Sequence, residues 1–597
     1  MSLFTRREFL KISALSACSL YISTAFTGCG DDTNDGHNYA DVTFEHGVAS
    51  GDPLSDRVIL WTRATPFGVF DESKGLKVGL EVAEDEAFTK ILRKEEILIS
   101  KDQDYTVKVD LQDLQAAKVY YYRFRAKHSV SEIGRTKTLP VGDVSQVKMA
   151  LFTCANYPYG YFNAYSEAAK IKDLDVAVHV GDYIYEYGMF ESDGKTPAYA
   201  TQKAQKINRV LPSDNDKECV SLEDYRKRYA LYHTDKGTQA IHKAVPMIVV
   251  WDDHEIANDS YKDGAANQNP EDGASWEQRV TDGLQAYFEW LPIRPIEDKK
   301  KIFRSFDFGN LISLHMLETR LFGRSKQLNY GNYFKADGSF DATKFVQDLS
   351  SSKRTMLGAE QLQWLQEKMQ KSQSTWQVLG QQVLMGGMSL PAEVIMLVGQ
   401  LDVVPDSQKP ALMQKINTSL SQLAVLKVKK LQGGTLTAQE EARLSTVMPY
   451  NLDAWDGYPY EREVIFASAK MMDKNLVVFA GDTHNGWAND LKDKDRNQIG
   501  VEFATTSVTS PGFEDYLSLP NQESAKQFEQ AITLLIDNLK YFNSYDRGFL
   551  TVTFTPDEAV CEWYYVDNYD SETYGMQEER YKKLKVKKGK EARKIEE

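Results

Sequence analysis

Short, largely apolar runs constrain this chain most. Val147 to Thr153, Leu174 to Val180, Val245 to Trp251, Trp376 to Val383 and Asn475 to Ala480 lack the polar alternation of a half-exposed strand, so each reads as a strand covered on both faces. Amphipathic stretches such as Tyr161 to Lys172 and Ser275 to Trp290 lie between them. Buried strands alternating with helices predict an α/β domain from about residue 146, with room for two packed sheets. Leu390 to Thr446 breaks the rhythm, because Ala411 to Leu431 and Thr437 to Thr446 are helical runs joined by Gly433-Gly434. That section reads as an insertion near 390–446, either a lid or partner surface or an excursion without function. No P-loop, GxGxxG or GxSxG is present.

Upstream, residues 41–145 have a different texture. Arg57 to Thr62, Lys77 to Val82, Tyr105 to Leu111 and Lys118 to Arg125 are period-two or aromatic-rich runs between Gly, Pro, Asp and Lys clusters. That spacing predicts a β-sandwich of about 100 residues. Val119 to Phe124, followed by Gly134-Arg135-Thr136, resembles the last strands of a fibronectin type III-like module. Only His46 and His128 lie in the region, without a carboxylate cluster, so no chemistry is expected there.

Both ends read as non-core. Thr5-Arg6-Arg7-Glu8-Phe9-Leu10-Lys11, followed by a weakly apolar stretch from Ile12 to Gly28, resembles a twin-arginine export signal. Residues 1–29 are therefore expected to be a signal ending in a lipoprotein site at Cys29, with 30–40 as a tether. Leu15-Ser16-Ala17-Cys18 has better lipobox letters but leaves almost no apolar region before the cut. No other window approaches the roughly 18 to 20 apolar residues of a membrane span. The expectation is export by the twin-arginine machinery, as a folded and cofactor-loaded chain, to the periplasm or cell surface, with membrane contact through a lipid on Cys29. Residues 568–597, Lys-rich from Tyr581 to Lys594, read as a charged, solvated tail.

Charge and cysteine content exclude further classes. With 71 basic against 86 acidic side chains and a net charge of −15, no nucleic-acid polymer binding is expected, because neutralising many phosphates needs a basic surface. Five cysteines are too few for a disulfide scaffold. Cys219 and Cys561 read as ordinary thiols.

The chemistry gathers where the apolar runs end. Cys154 follows Leu151-Phe152-Thr153, and Asp182 and Tyr185 sit in Gly181-Asp182-Tyr183-Ile184-Tyr185-Glu186. Asp252-Asp253-His254-Glu255 follows Val249-Val250-Trp251, and Asp482 and His484 sit in Gly481-Asp482-Thr483-His484-Asn485. Ligands of open α/β sheets bind at the carboxyl ends of strands, so separation along the chain does not prevent convergence. Carboxylates and a phenolate suit a hard ion such as ferric iron or calcium, and a thiolate and an imidazole add a transition-metal site. Singly, such an Asp is more often a helix cap and such a Cys a small hydrophobe. Two adjacent buried aspartates, however, repel each other unless a positive group is near.

The Gly-Asp-x-x-Tyr, Asp-His-Glu and Gly-x-x-His elements in this order resemble the metallophosphoesterase superfamily, whose purple acid phosphatase branch uses a tyrosinate on ferric iron. His46-Gly47-Val48-Ala49-Ser50-Gly51-Asp52-Pro53 with Leu60-Trp61-Thr62-Arg63, Trp251 to Glu255, Asp456-Gly457-Tyr458-Pro459 and Thr506 to Gly512 are similar to blocks of the PhoD-type alkaline phosphatase/phosphodiesterase family. The resemblance spans about residues 42 to 567, with a departure at Leu317-Glu318-Thr319-Arg320, where Asp is expected in place of Glu318. It implies a fibronectin III-like β-sandwich followed by a metallophosphoesterase-like α/β sandwich over 146–567. It further implies ferric iron on Cys154, Asp182, Tyr185 and His484, and one or two calcium ions, with Asp182 bridging and Asp253, Asp482 and Gln382 as further ligands.

The implied reaction is in-line attack of a metal-bound hydroxide on phosphorus, with no covalent phosphoryl-enzyme. His254 would hydrogen-bond the phosphate or protonate the leaving group, and Arg279 would clamp phosphate oxygens. The plainer readings are a supporting histidine and a surface-helix arginine. Three functions are open: a phosphomonoesterase/phosphodiesterase acting on phosphate mono- or diesters, nucleotides and wall teichoic acids included; a phospholipase D-like diesterase acting on lipid head groups; and a noncatalytic calcium-dependent surface-binding protein.

Overall fold

The apolar runs pair side by side, as their lack of alternation requires. The computed structural model describes residues 40–597 except 192, 270–272, 338 and 401–403; the export signal, Cys18, Cys29 and residues 30–39 of the tether lie outside the described residues. Val147–Phe152, Val176–His179 and Met247–Val249 run parallel, with Phe152 opposite His179 and His179 opposite Val249. Ile312–Met316, Trp376–Gly380, Asn475–Ala480 and Gln498–Ala504 run parallel in a second sheet, with Met316, Gly380, Phe479 and Phe503 in one row. Among the described residues the first sheet has ten strands and the second seven. They meet through buried aromatics: Phe554 lies 5.9 Å from Trp376 and 6.2 Å from Phe479, and Trp563 lies 5.8 Å from Phe503. Each such side chain contributes roughly 1.5–3 kcal/mol by leaving water. The predicted helix at Ser275 is present as Trp276–Trp290, whereas Tyr161 to Lys172 yields only Asn163–Ala168.

The N-terminal region is a sandwich. Val48–Gly51, Val58–Arg63 and Thr106–Leu111 form one layer, and Leu76–Ala83, Ile91–Ile99, Val119–Ala126 and Gly134–Lys137 the other. Val58, Leu60, Leu80, Val109, Tyr122 and Phe124 fill the space between them. The first layer is also the edge of the ten-stranded sheet, because Gly51 pairs with Met247. Only glycine fits there: a Cβ on Gly51 would lie 2.4 Å from the Pro292 carbonyl and 2.5 Å from that of Met247. Asp52 then bonds Arg304 at 2.7 Å, so Gly51-Asp52 is a joint between sandwich and α/β layers.

The reading of 568–597 as a solvated tail is corrected. Lys582–Lys587 pairs antiparallel with Glu558–Val566, and Ile595–Glu596 adds to it. Leu584 and Val586 are buried, a period-two pattern hidden among lysines. The insertion begins and ends on a two-stranded neck, Ser389–Pro391 paired with Val447–Pro449. Between these strands lie the helices Ala392–Val398, Lys409–Leu431 and Ala438–Ser445. Leu412, Ile416, Leu420 and Leu423 form the buried stripe of the long helix. Among the described residues no helix is long and apolar enough to cross a membrane.

Candidate metal centre

In-register parallel strands bring their carboxyl ends to one edge, and both sheets offer that edge to the same cleft. The chain turns sharply there. Cys154, Asp182, Asp482 and His484 all have φ between 56° and 63°, a left-handed conformation costing a non-glycine residue roughly 1–3 kcal/mol. Gly181, at φ 114°, is sterically required, since a Cβ would lie 2.3 Å from that of Asp252. The Glu255 carboxylate ties the turns together by accepting from the backbone N–H groups of Asp182, Tyr183 and Asp252.

Four predicted ligands converge. Asp182 Oδ2 is 3.3 Å from Cys154 Sγ and 3.0 Å from the Tyr185 hydroxyl, which is 3.1 Å from His484 Nε2. His484 Nδ1 donates to the Pro511 carbonyl at 2.6 Å, leaving Nε2 as the nitrogen with a free lone pair. Asp253, His254 and Asp482 close the other side: Cys154, Asp182 and His484, then Asp182, Asp253 and His254, then Asp252, Asp253 and Asp482, each offer ligand atoms within 4.8 Å of one another. Burial pushes the Asp182 carboxyl well up, and burial with the Asp182 charge does the same to the Cys154 thiol and the Tyr185 phenol. Burial holds His484 down at about 3. These acidic groups can ionise together only beside a cation. Asp182 Oδ1 and Asp252 Oδ2 are buried without a hydrogen-bond partner, as ligand oxygens awaiting an ion would be. The thiolate, phenolate, carboxylate and imidazole fit a ferric ion, and the carboxylates beyond Asp182 fit calcium.

His254 Nδ1 is 2.8 Å from a Glu186 carboxylate oxygen. Burial alone would lower its pKa, but Asp253, Glu186 and Asp182 outweigh it and raise it well above the usual histidine value. Glu186 also accepts from the Asn258 N–H and the Asn267 amide, each at 2.7 Å.

Two predicted site residues are held by other protein groups. Arg279 lies on the buried face of its helix and donates to Glu218 at 2.6 Å, the Tyr225 hydroxyl at 3.1 Å and the Asn267 carbonyl at 3.2 Å. It anchors that helix instead of clamping phosphate. Gln382 is also committed: its carbonyl accepts from Thr319, and its amide donates to the Trp251 and Leu317 carbonyls, so it laces strand ends together. Sequence reasoning passed over Arg320, which is fully buried and ion-pairs with Asp252, with Asp453 at 2.9 Å, Asp482 at 3.2 Å and Asp253 at 3.7 Å. It is the positive group that the Asp252-Asp253 pair demands. Glu318, the residue departing from the expected Asp, accepts from the N–H groups of Arg320, Leu321 and Phe322 and from the Trp251 indole.

Known proteins share sequence and fold with this chain over most of its length. The family model for PhoD-like phosphatase matches residues 149–563, and that for the PhoD-like phosphatase N-terminal domain matches 30–140. Alkaline phosphatase D of Bacillus subtilis (strain 168) is 33% identical over 579 residues, covering 94% of this chain and 84% of that protein. A solved structure of PhoD superposes with a TM-score of 0.68 at 29% identity, covering 95% of this chain and 93% of the other.

Proposed function

Because the chain belongs to the PhoD-like phosphatase family and is thereby a phosphoric ester hydrolase, we propose that it is an exported alkaline phosphatase/phosphodiesterase working through an iron–calcium centre. The observation that carries this reading is the convergence of Cys154, Tyr185 and His484 on one side of the Asp182 carboxylate, with Asp253 on its other side and Asp482 beside Asp253. Cys154, Tyr185 and His484 would hold iron, Asp182 would be shared, and Asp253 and Asp482 would hold calcium. When bound, the cations would neutralise the phosphoryl charge and activate water. Glu186 fixes His254 through Nδ1, leaving Nε2 to hydrogen-bond a phosphoryl oxygen or hand its proton to the leaving alkoxide. Ser510 donates to the Tyr185 oxygen at 2.7 Å and would steady it as a phenolate.

Cys154→Ala and Tyr185→Phe should each lower iron content and p-nitrophenyl phosphate hydrolysis together, and Tyr185→Phe should also remove the visible charge-transfer absorbance. Full activity with undiminished iron in either variant rejects the assignment. Comparing bis-p-nitrophenyl phosphate with the monoester sets the balance of diesterase to monoesterase. The Arg6-Arg7 pair and Cys29 support export and lipid anchoring: Arg6→Lys with Arg7→Lys should retain the protein inside the cell, and Cys29→Ser should move it from the membrane to the soluble fraction.

A further inference from the structure

Residues 258–267 form a loop that closes on itself and on one carboxylate. The Ala266 N–H donates to the Asn258 carbonyl at 2.8 Å, and Tyr261 and Gly264 exchange backbone hydrogen bonds of 2.8 and 3.2 Å at the tip. The two ends of the loop converge: the Asn258 N–H and the Asn267 side-chain amide both donate to Glu186 Oε1 at 2.7 Å. Its second residue faces the same centre, since the Asp259 N–H donates to Asp253 Oδ2 at 2.6 Å. The tip is braced from outside, where the Lys262 N–H donates to the Arg324 carbonyl at 3.3 Å and the Trp276 indole to the Lys262 carbonyl at 3.3 Å.

Glu186 is fully buried, and its two oxygens have separate tasks. Oε2 accepts from His254 Nδ1 at 2.8 Å, while Oε1 is held wholly by the loop. The His254 ring lies 4.3 Å from that of Tyr185 and 5.2 Å from that of Tyr187 between centroids. Packing therefore limits its tilt, and the Glu186 contact decides which nitrogen turns to the cleft. A carboxylate held through one oxygen alone can swing about its Cγ–Cδ bond; two donors on the other oxygen stop that. Asn267 does nothing else with its side chain: Oδ1 is buried without a hydrogen-bond partner, and the bond to Glu186 is its one polar contact among the described residues. An unpaired buried amide oxygen is destabilising, so the side chain is poorly placed for stability and well placed for holding Glu186.

We propose that Asn267 is a positioning residue for proton transfer to the leaving group, aiming His254 through Glu186. The proposal rests on the phosphoesterase reading, with His254 as the proton donor. As a water oxygen bonds to phosphorus, the ester P–O bond breaks and its electron pair stays on the leaving oxygen, which takes the proton of His254 Nε2. The neutral imidazole regains a proton from solvent and the incoming water releases one to solvent, so one water is added across the ester. A weakly acidic alcohol needs that proton in order to leave, whereas p-nitrophenolate leaves with little help. The hold exerted by Asn267 thus matters more as the leaving oxygen becomes more basic.

The test compares kcat/KM of the metal-loaded protein on p-nitrophenyl phosphate and phenyl phosphate, whose leaving groups differ far more in basicity than in size. Asn267→Leu should lose about tenfold more on phenyl phosphate than on p-nitrophenyl phosphate, chiefly in kcat, with the metal content of the parent. Should the leucine variant fold poorly, Asn267→Ala removes the same donor without the bulk and should move the ratio in the same direction. His254→Ala, assayed alongside, should show the same preference more strongly. Equal losses on the two esters, or none, in both Asn267 variants beside a selective loss in His254→Ala overturn the positioning role alone. Equal losses in His254→Ala overturn the proton-donor reading, and the positioning role falls with it.

Discussion

Arg320 is the side chain on which the acidic half of the centre depends. Its guanidinium faces four aspartates from three separate parts of the chain, and removing one partner of a buried ionic cluster leaves the others uncompensated. Arg320→Ala should therefore lower unfolding free energy in chelator by about 3 kcal/mol or more, with calcium restoring part of the loss; urea denaturation with and without the ion reads both. The proposed ligands were legible as candidates because each stands one to five residues beyond an apolar run. Arg320 was not, because its hydrogen-bonded aspartates are 68, 133 and 162 positions away, and no local pattern records a charge cancelled at that distance. Asp252-Asp253 did signal that a cation was needed, without saying that a side chain would supply part of it.

At the level of elements, periodicity carried most of the information. The five apolar runs are strands, and the helices of the insertion are present at Lys409–Leu431 and Ala438–Ser445. Two elements were misread for opposite reasons. Arg279 shares a helix face with Gly283 and Tyr287, four residues apart and buried, so the helical repeat already placed it inward while its charge suggested the surface. Arg279→Ala should cost about 3 kcal/mol in stability and leave the KM for p-nitrophenyl phosphate within about twofold, as thermal melts and steady-state kinetics would show. In Lys582–Lys587 the lysines masked alternation with Leu584 and Val586. A carboxylate introduced there would be buried without a partner, so Val586→Asp should destabilise by about 3 kcal/mol and expose the edge of Glu558–Val566 to aggregation, measurable by melting and light scattering.

For the whole molecule, pH sensitivity follows from histidines sealed between layers. His46 is held at about 3 by burial and the nearby Arg63 charge, and His242 at about 3 by burial. Their unfolded values lie near 6.5, so between pH 6.5 and 3 the unfolded chain binds protons that the folded one refuses. The stability they confer is complete above pH 6.5 and is lost as pH falls, by about 1.4 kcal/mol per pH unit for each histidine. Melting temperature should thus drop steeply below pH 6, and His242→Gln should shallow that slope without changing the alkaline side.

The joint at Gly51 also bears on the order in which the chain can mature. Val48–Gly51 is made early, yet the Met247–Val249 strand that it borders is synthesised much later, and Lys582–Lys587 and Ile595–Glu596 of the same sheet come last. Folding therefore cannot proceed bead by bead behind the ribosome. The earliest strands must wait for distant partners, and a prematurely terminated polypeptide presents an open edge that quality-control proteases and chaperones would meet first.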